Sequence, residues 1–268
     1  MKKDVVPADF RVIAEEDDLL LVDKPAQLLV HPSKPGGPPT LWHGLCELLA
    51  YELATGGQIS IINRLDRETS GLTLVAKTAL AARHLGRAMM RREIGKEYLA
   101  LVRGWPEPDV FTIDAPLARE GEVRNCPIHV RQCVHPDGRP SITDFRVEKK
   151  FTRGAARFAL VRALPFTGRM HQIRVHLAHA GHPLVGDKIY TGGGEDYLRF
   201  IDEGWSEAMA ARLLLDRHAL HSAVITHAGR RWECPLPADM AAWLDRPHMA
   251  TSSTPLDGTV GQQSDDHC

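Results

Sequence analysis

Asp66 stands in the run Asn63-Arg64-Leu65-Asp66-Arg67-Glu68-Thr69-Ser70-Gly71, which sets two arginines and two carboxylates between the apolar segments "ISIIN" and "LTLVAK". A carboxylate between two buried strands is costly unless a cation meets it. Arg64 and Arg67 are the local candidates, and a loop solvated by its own arginines is the plainest account of such a turn. A distant cation competes with them. In "GRMHQIRVHLAHAG", Met170, Ile173 and Leu177 mark an apolar helix face, and Arg174 follows Met170 by four residues and precedes Leu177 by three. An arginine on an apolar stripe is uncommon unless a carboxylate or phosphate meets it, so Asp66 and Arg174 are candidates for one buried pair. A carboxylate held in this way suits nucleophilic or electrostatic work, although a purely structural ion pair has the same signature. Tyr98, in "GKEYLALV", opens a strand directly after the basic "RREIGK". Its ring is either core or a platform for a base whose phosphates the arginines hold.

The elements that must position these residues follow from pattern. "FRVIAEEDDLLLVDKP" reads as two strands around an acidic turn, stopped by Pro25. Thr40 caps an amphipathic helix, "LWHGLCELLAYELA", which the glycines after Thr55 end. The charged loop then sits between strands "ISIIN" and "LTLVAK", and "ALAARHLGRAMMRREIG" has helical spacing with a basic end. From residue 111 to 165 the chain reads as a run of strands with turns such as "HPDGRP", which predicts a long antiparallel region. "GRMHQIRVHLAHAG" and "YLRFIDEGWSEAMAARLLL" read as helices, "HALHSAVITHAGRRWECPLP" as a hairpin and "ADMAAWLD" as a short helix. Residues 1 to 246 show no internal repeat and no break in composition, so one domain is expected. The tail 247 to 268 is polar and rich in Pro, Gly, Ser and Thr, and it is expected to be disordered.

The 268 residues, 43% of them hydrophobic, supply a substantial core. No apolar run approaches the roughly 20 residues of a membrane span, and "MKKDVVPADF" lacks the apolar stretch of a signal peptide, which points to a cytoplasmic protein. Five scattered cysteines without a Cys-x-x-Cys pair argue against a disulfide framework. The net charge of -1 hides a polarised chain. Residues 64 to 103 hold nine Lys/Arg against four Asp/Glu, and residues 119 to 174 hold twelve against five. A middle portion so rich in arginine is expected to offer a phosphate-facing surface, the alternative being solvated helix faces.

The segments "NRLDRETSGLTLVAKT", "KEYLALVRG" and "TGRMHQIRVHLAHAGHPLVGDKIY" together resemble the RluA-type pseudouridine synthases, whose signature is an Arg-Leu-Asp-x-x-Thr-Ser-Gly loop. "LLVDKPAQLLVHP", "DGRPSITDFRV" and "LLLDRHALHSAVITH" extend the resemblance, in order, over residues 10 to 240. It implies an α+β fold: a single catalytic domain with a mixed, mostly antiparallel central sheet, flanking helices and loops, and an active-site cleft across the sheet. It also implies the conversion of a specific uridine to pseudouridine in ribosomal or transfer RNA, by a protein expected to be monomeric and free of any membrane. Carried over by position, Asp66 is the catalytic nucleophile and Arg174 the arginine that pairs with it. Tyr98 is the tyrosine that stacks on the target base, Ile173 the aliphatic residue beside it, and Arg64 the arginine that enters the helix when the nucleotide leaves. Breaking N1–C1′ and remaking the bond at C5 changes no oxidation state, so neither metal nor organic cofactor is required. Attack at C1′, attack at C6 and assistance to a glycal all fit that carboxylate.

Two positions depart from the family pattern. Asn63 replaces the usual histidine of the loop, and Gln27 replaces a glycine, where the backbone is expected to differ slightly. The separate N-terminal RNA-binding module of many relatives is not evident, so target choice is expected to rest on the catalytic domain. Three other readings compete. Cys126, His129, Cys133 and His135 invite a metal, but their spacings follow no usual zinc pattern. A nucleosidase needs a second carboxylate, for which Glu68 is the nearby candidate. A silent RNA-binding module leaves the aspartate and its arginine without a task.

Overall fold

The computed structural model describes residues 9–245, so the proposed tail at 247 to 268 lies outside the described residues. Chain order runs β1 (Arg11–Glu15), β2 (Leu19–Lys24), α1 (Leu41–Leu48), α2 (Ala50–Ala54), β3 (Ser60–Ile61), β4 (Ser70–Ala76), α3 (Ala79–Met90) and β5 (Gly95–Arg103). It continues with β6 (Val110–Asp114), β7 (Leu117–Arg119), α4 (Glu120–Val123), β8 (Gln132–Val134), β9 (Ile142–Arg153), β10 (Ala156–Pro165) and α5 (Gln172–His179). A 3₁₀ turn at Gly192–Gly194, α6 (Glu195–Glu203), α7 (Glu207–Leu213), β11 (Leu220–His227), β12 (Arg230–Glu233) and α8 (Ala238–Asp245) complete it.

Ten of these strands form one sheet in the order β1-β2-β4-β11-β5-β10-β9-β6, with β3 on β4 and β12 on β11, while β7 and β8 pair separately. Every pair in the large sheet is antiparallel except β4 with β11. The fold is therefore α+β with a mixed, mostly antiparallel sheet. The parallel pair is short, His221 opposite Ser70 and Ser222 opposite Gly71, and it sits in the middle of the sheet where the charged loop enters β4. Gly71 is what allows it. Its φ is +106, and a Cβ there would lie 2.3 Å from the Ser222 carbonyl oxygen, so a side chain at this position would push the two strands apart.

Side-chain alternation divides β5 between two layers. Tyr98, Ala100 and Val102 face a core shared with Leu65, Ile173, Leu177 and Leu220. Leu101 faces a second core with Phe158, Val185, Met240 and Trp243. Helix α3 covers the outer strands through Ala81, Leu85 and Ala88.

Several elements are shorter than pattern predicts. Helix α5 starts at Gln172, not Gly168, because His171 takes a left-handed conformation (φ 56) that breaks the helix before it. Met170 is thus outside the helix and 48% exposed, whereas Ile173, Arg174 and Leu177 are buried as expected. Gly204 divides the next helix into α6 and α7, and the helix after Thr40 splits at Leu49 into α1 and α2. Gln27 holds φ 68, so the backbone keeps a glycine-like conformation although the residue is not glycine.

Candidate active site

The loop from Asn63 to Thr69 is built to expose one carboxylate. Thr69 N–H donates to the Asp66 carbonyl at 3.2 Å, closing a turn in which aspartate at the first position is favoured. Behind it, Lys24 is fully buried at the end of β2 and donates to the carbonyls of Pro25, Leu28 and Arg67 at 2.8, 2.9 and 3.1 Å, which ties the loop backbone to the sheet. Asn63 is buried too. Its amide nitrogen donates to the Leu72 carbonyl at 3.1 Å and its oxygen accepts from Leu74 N–H at 2.7 Å. One side chain thereby continues the β3–β4 pairing past the point where the backbone turns away, a task suited to an amide because it carries donor and acceptor on one carbon.

Asp66 and Arg174 meet. Arg174 Nη1 donates to Asp66 Oδ2 at 2.9 Å, across 108 residues of sequence. The guanidinium has a second partner that the sequence analysis does not single out: Nε and Nη2 bond both oxygens of Asp187 at 2.8 and 3.0 Å. Asp187 is wholly buried and also accepts from the backbone of Ile189 and Tyr190. Arginine's planar fork makes this three-way contact feasible, where an ammonium would not. Asp187 lies in "GHPLVGDKIY", between Gly186 and Lys188, where no spacing distinguishes it from an acid in an ordinary turn.

The Asp66 side chain keeps 27% exposure, so its free oxygen faces the cleft. Burial alone would raise its pKa, but the fields of His171, Arg174 and His218 and the Arg174 hydrogen bond overcome burial and hold the carboxyl at about 2. Burial and Arg174 in turn push His171 down to about 4, so at neutral pH the imidazole is uncharged and Arg174 is the standing cation. His171 Nδ1 lies 2.8 Å from the Tyr190 hydroxyl, and its Nε2 is 3.8 Å from Asp66.

Glu68 turns away from the cleft. Its carboxylate takes Lys188 Nζ at 2.8 Å and the His218 backbone N–H at 2.9 Å, and its carbonyl takes Arg217 at 3.3 Å. Although burial opposes ionisation, His218 and Lys188 keep the carboxyl well below the usual range. His218 Nε2 meets the Thr69 hydroxyl at 2.8 Å, and Arg217 grips Asp239 of α8 through two bonds of 2.6 and 2.9 Å. The second carboxylate that a nucleosidase would need is thus consumed in holding the loop.

Asp66, Arg174, Tyr98, Ile173 and Arg64 all line one cleft of about 940 Å³, which crosses the sheet between the loop, β5 and the segment before α5. Tyr98 is 8% exposed; burial, with a smaller push from Asp66, raises its phenol to about 12 despite a hydrogen bond with Ser222, so the hydroxyl stays protonated at neutral pH. Ile173 is buried beside it. Arg64 is exposed and, among the described residues, makes no ion pair. The arrangement offers an ionised carboxylate, oriented by Arg174, and an aromatic ring in the lining of one cleft with room for a nucleotide.

The sequence model of the RNA pseudouridylate synthase family matches residues 18–179. The chain is 38% identical over 258 residues to the ribosomal large subunit pseudouridine synthase D of Nitrosomonas europaea, covering 91% of this chain and 68% of that one. It is 34% identical over 247 residues to the protein of the same name from Escherichia coli strain K12, covering 90% and 70%. Among solved structures, human RNA pseudouridylate synthase domain containing 1 superposes with a TM-score of 0.66 at 24% identity, over 91% of this chain and 89% of the other. That last likeness concerns the fold.

Proposed function

The chain belongs to the RNA pseudouridylate synthases, of the RluA type, and from that premise we propose that it isomerises a uridine of large-subunit ribosomal RNA with Asp66 as the nucleophile. The observation that carries the residue assignment is the ionised Asp66 carboxylate, hydrogen-bonded by Arg174 in a cleft that Tyr98 also lines. The ribosomal target is taken from the printed names of the relatives that share 34% and 38% of its residues.

In this reading the target uridine leaves its stack and enters the cleft, since no base inside a helix can reach a carboxylate at its floor. Arg64, exposed at the rim, fills the gap left behind. Tyr98 receives the base on its ring and Ile173 packs beside it, both within the apolar cluster that also holds Leu65. The N1–C1′ bond breaks, C1′ joins C5, and the C5 proton is exchanged for one on N1, so the reaction balances without a co-reactant. Asp66 supplies the charge that this rearrangement needs: with its pKa at about 2 it is ionised at neutral pH, and Arg174 is hydrogen-bonded to it. The phenol of Tyr98 remains a neutral donor throughout.

The test has two arms. Asp66→Asn and Asp66→Ala, purified and incubated with an unmodified large-subunit ribosomal RNA transcript, are expected to form no pseudouridine while melting as cooperatively as the wild type. Product at the wild-type rate refutes the nucleophile assignment. Mapping pseudouridine in total RNA from cells with and without the gene is expected to lose a site in large-subunit ribosomal RNA; loss of a transfer RNA site instead would move the target while leaving the reaction in place.

A further inference from the structure

Lys96 stands two residues before Tyr98 on β5, so the two side chains leave the strand on the same face, roughly 6.6 Å apart along it. Both line the cleft. The Lys96 ammonium lies against Gly168 on the opposite wall: a Cβ at Gly168 would come within 3.6 Å of Nζ. Next to it the wall is apolar, formed by Leu164, Pro165 and Phe166. Glu97, its neighbour in sequence, is also in the lining of the cleft, but its carboxylate is committed to Arg162 and Arg231 at 2.6 and 2.8 Å.

The lysine is half-buried, and among the described residues its side chain has neither a hydrogen bond nor an ion pair. The other deeply placed lysines are all satisfied, Lys24 by three carbonyls, Lys77 by Glu15 and Glu52, and Lys188 by Glu68. Burial lowers the Lys96 pKa, with no neighbouring charge to offset it. A partly desolvated cation without a partner costs stability, and it is retained to advantage where an anion arrives from outside. Arg64, Arg92 and Arg169 line the same cleft without an ion pair among the described residues, whereas its acids Asp66 and Glu97 are each held by arginine, which leaves cations available to an incoming anion.

We propose that Lys96 is a substrate-binding residue that receives a phosphate flanking the uridine seated on Tyr98, so that the cleft grips a nucleotide within a chain rather than a free base. The proposal rests on the uridine reading of the cleft given above. A base stacked on Tyr98 carries its ribose toward Asp66, and the backbone on one side must then pass along β5, where Lys96 is the cation within reach.

Binding of a short RNA oligonucleotide, cut from the mapped target and carrying the uridine, tests this directly. Lys96→Met is expected to weaken binding roughly tenfold, the worth of one charge-assisted hydrogen bond. It should also reduce the slope of log affinity against log salt by about 0.7, one phosphate contact, while kcat at saturating RNA stays within about twofold and Lys96→Arg keeps the wild-type slope. The same oligonucleotide with a methylphosphonate on either side of the uridine should bind wild type more weakly at one of the two positions, and Lys96→Met should lose nothing further there. An unchanged salt slope in Lys96→Met, or wild-type binding indifferent to both methylphosphonates, overturns the proposal; the second result does so even if the variant fails to fold. Failure of the uridine reading shows separately, as binding by wild type without pseudouridine in the product.

Discussion

Arg174 is shared by two acids whose situations differ, and the difference sets what each substitution does. Asp187 is entirely buried and takes two bonds from the guanidinium, whereas Asp66 takes one and keeps 27% exposure. Replacing Arg174 by alanine strands both carboxylates, so the variant is expected to lose about 3–5 kcal/mol in urea unfolding together with its activity. Asp187→Asn should destabilise more than Asp66→Asn, although only the latter removes the reacting group; the reverse order would contradict the division of labour. The pH behaviour follows from the same pair. Asp66 is depressed from 3.8 to about 2, so its contribution to stability is complete above pH 3.8 and is lost as pH falls toward 2. Between pH 5 and 8, kcat for pseudouridine formation should therefore carry no limb from this carboxyl, and an acid limb centred near 5 that persists when His171 is replaced by glutamine would refute the assignment. The Asp66–Arg174 contact was legible from helical spacing, even though Met170, one of the residues that fixed the phase, lies outside the helix. Asp187 was not legible. Its role depends on a contact made in three dimensions, and nothing in the spacing of "LVGDKIY" tells a buried acid from a turn acid.

At the scale of the element, the loop is held by side chains doing the work of backbone. Asn63 bridges Leu72 and Leu74 where β3 has already ended, Lys24 caps three carbonyls, and Glu68 reaches Lys188 and His218. These anchors explain why so polar a segment survives between buried strands: Asn63, Glu68 and Thr69 are each hydrogen-bonded to the segments around them, and Asp66 is the carboxylate of the loop that lines the cleft. Asn63→Ala removes a donor and an acceptor from a buried site and is expected to cost about 1–3 kcal/mol, read as a lower urea midpoint. Because Asn63 touches the strand rather than the carboxylate, the folded variant should keep measurable pseudouridine formation at low temperature, well above that of Asp66→Asn. An unchanged midpoint would mean that the two bonds are not needed to hold the loop. Strands and their order of appearance were readable from alternation and turn residues, but the parallel contact of β4 with β11 was not, since it joins segments about 150 residues apart through two residue pairs. Helix ends were the least readable. A left-handed His171 and the glycine at 204 stop helices that hydrophobic spacing alone would continue.

At the scale of the whole molecule, the excess of arginine between residues 64 and 174 divides into two populations that sequence cannot separate. One is spent on ion pairs: Arg162 and Arg146 on Glu148, Arg162 on Glu97, Arg124 and Arg131 on Glu120. The other lines the cleft as Arg64, Arg92 and Arg169. No helix among the described residues is long and apolar enough to cross a membrane. Counterion release ties affinity to the number of phosphates neutralised, at about 0.7 in the logarithmic salt slope for each contact on a single strand. Arg64→Ala is therefore expected to lower that slope by about 0.7 and to weaken RNA binding at low salt, with an unchanged melting temperature because the side chain is exposed and makes no ion pair among the described residues. Arg146→Ala, an equal loss of charge from a pair on Glu148 outside the cleft, should leave the slope unaltered. Equal slopes lost by the two variants would show that RNA responds to the net charge of the protein, and the cleft would no longer be the place where phosphate is recognised.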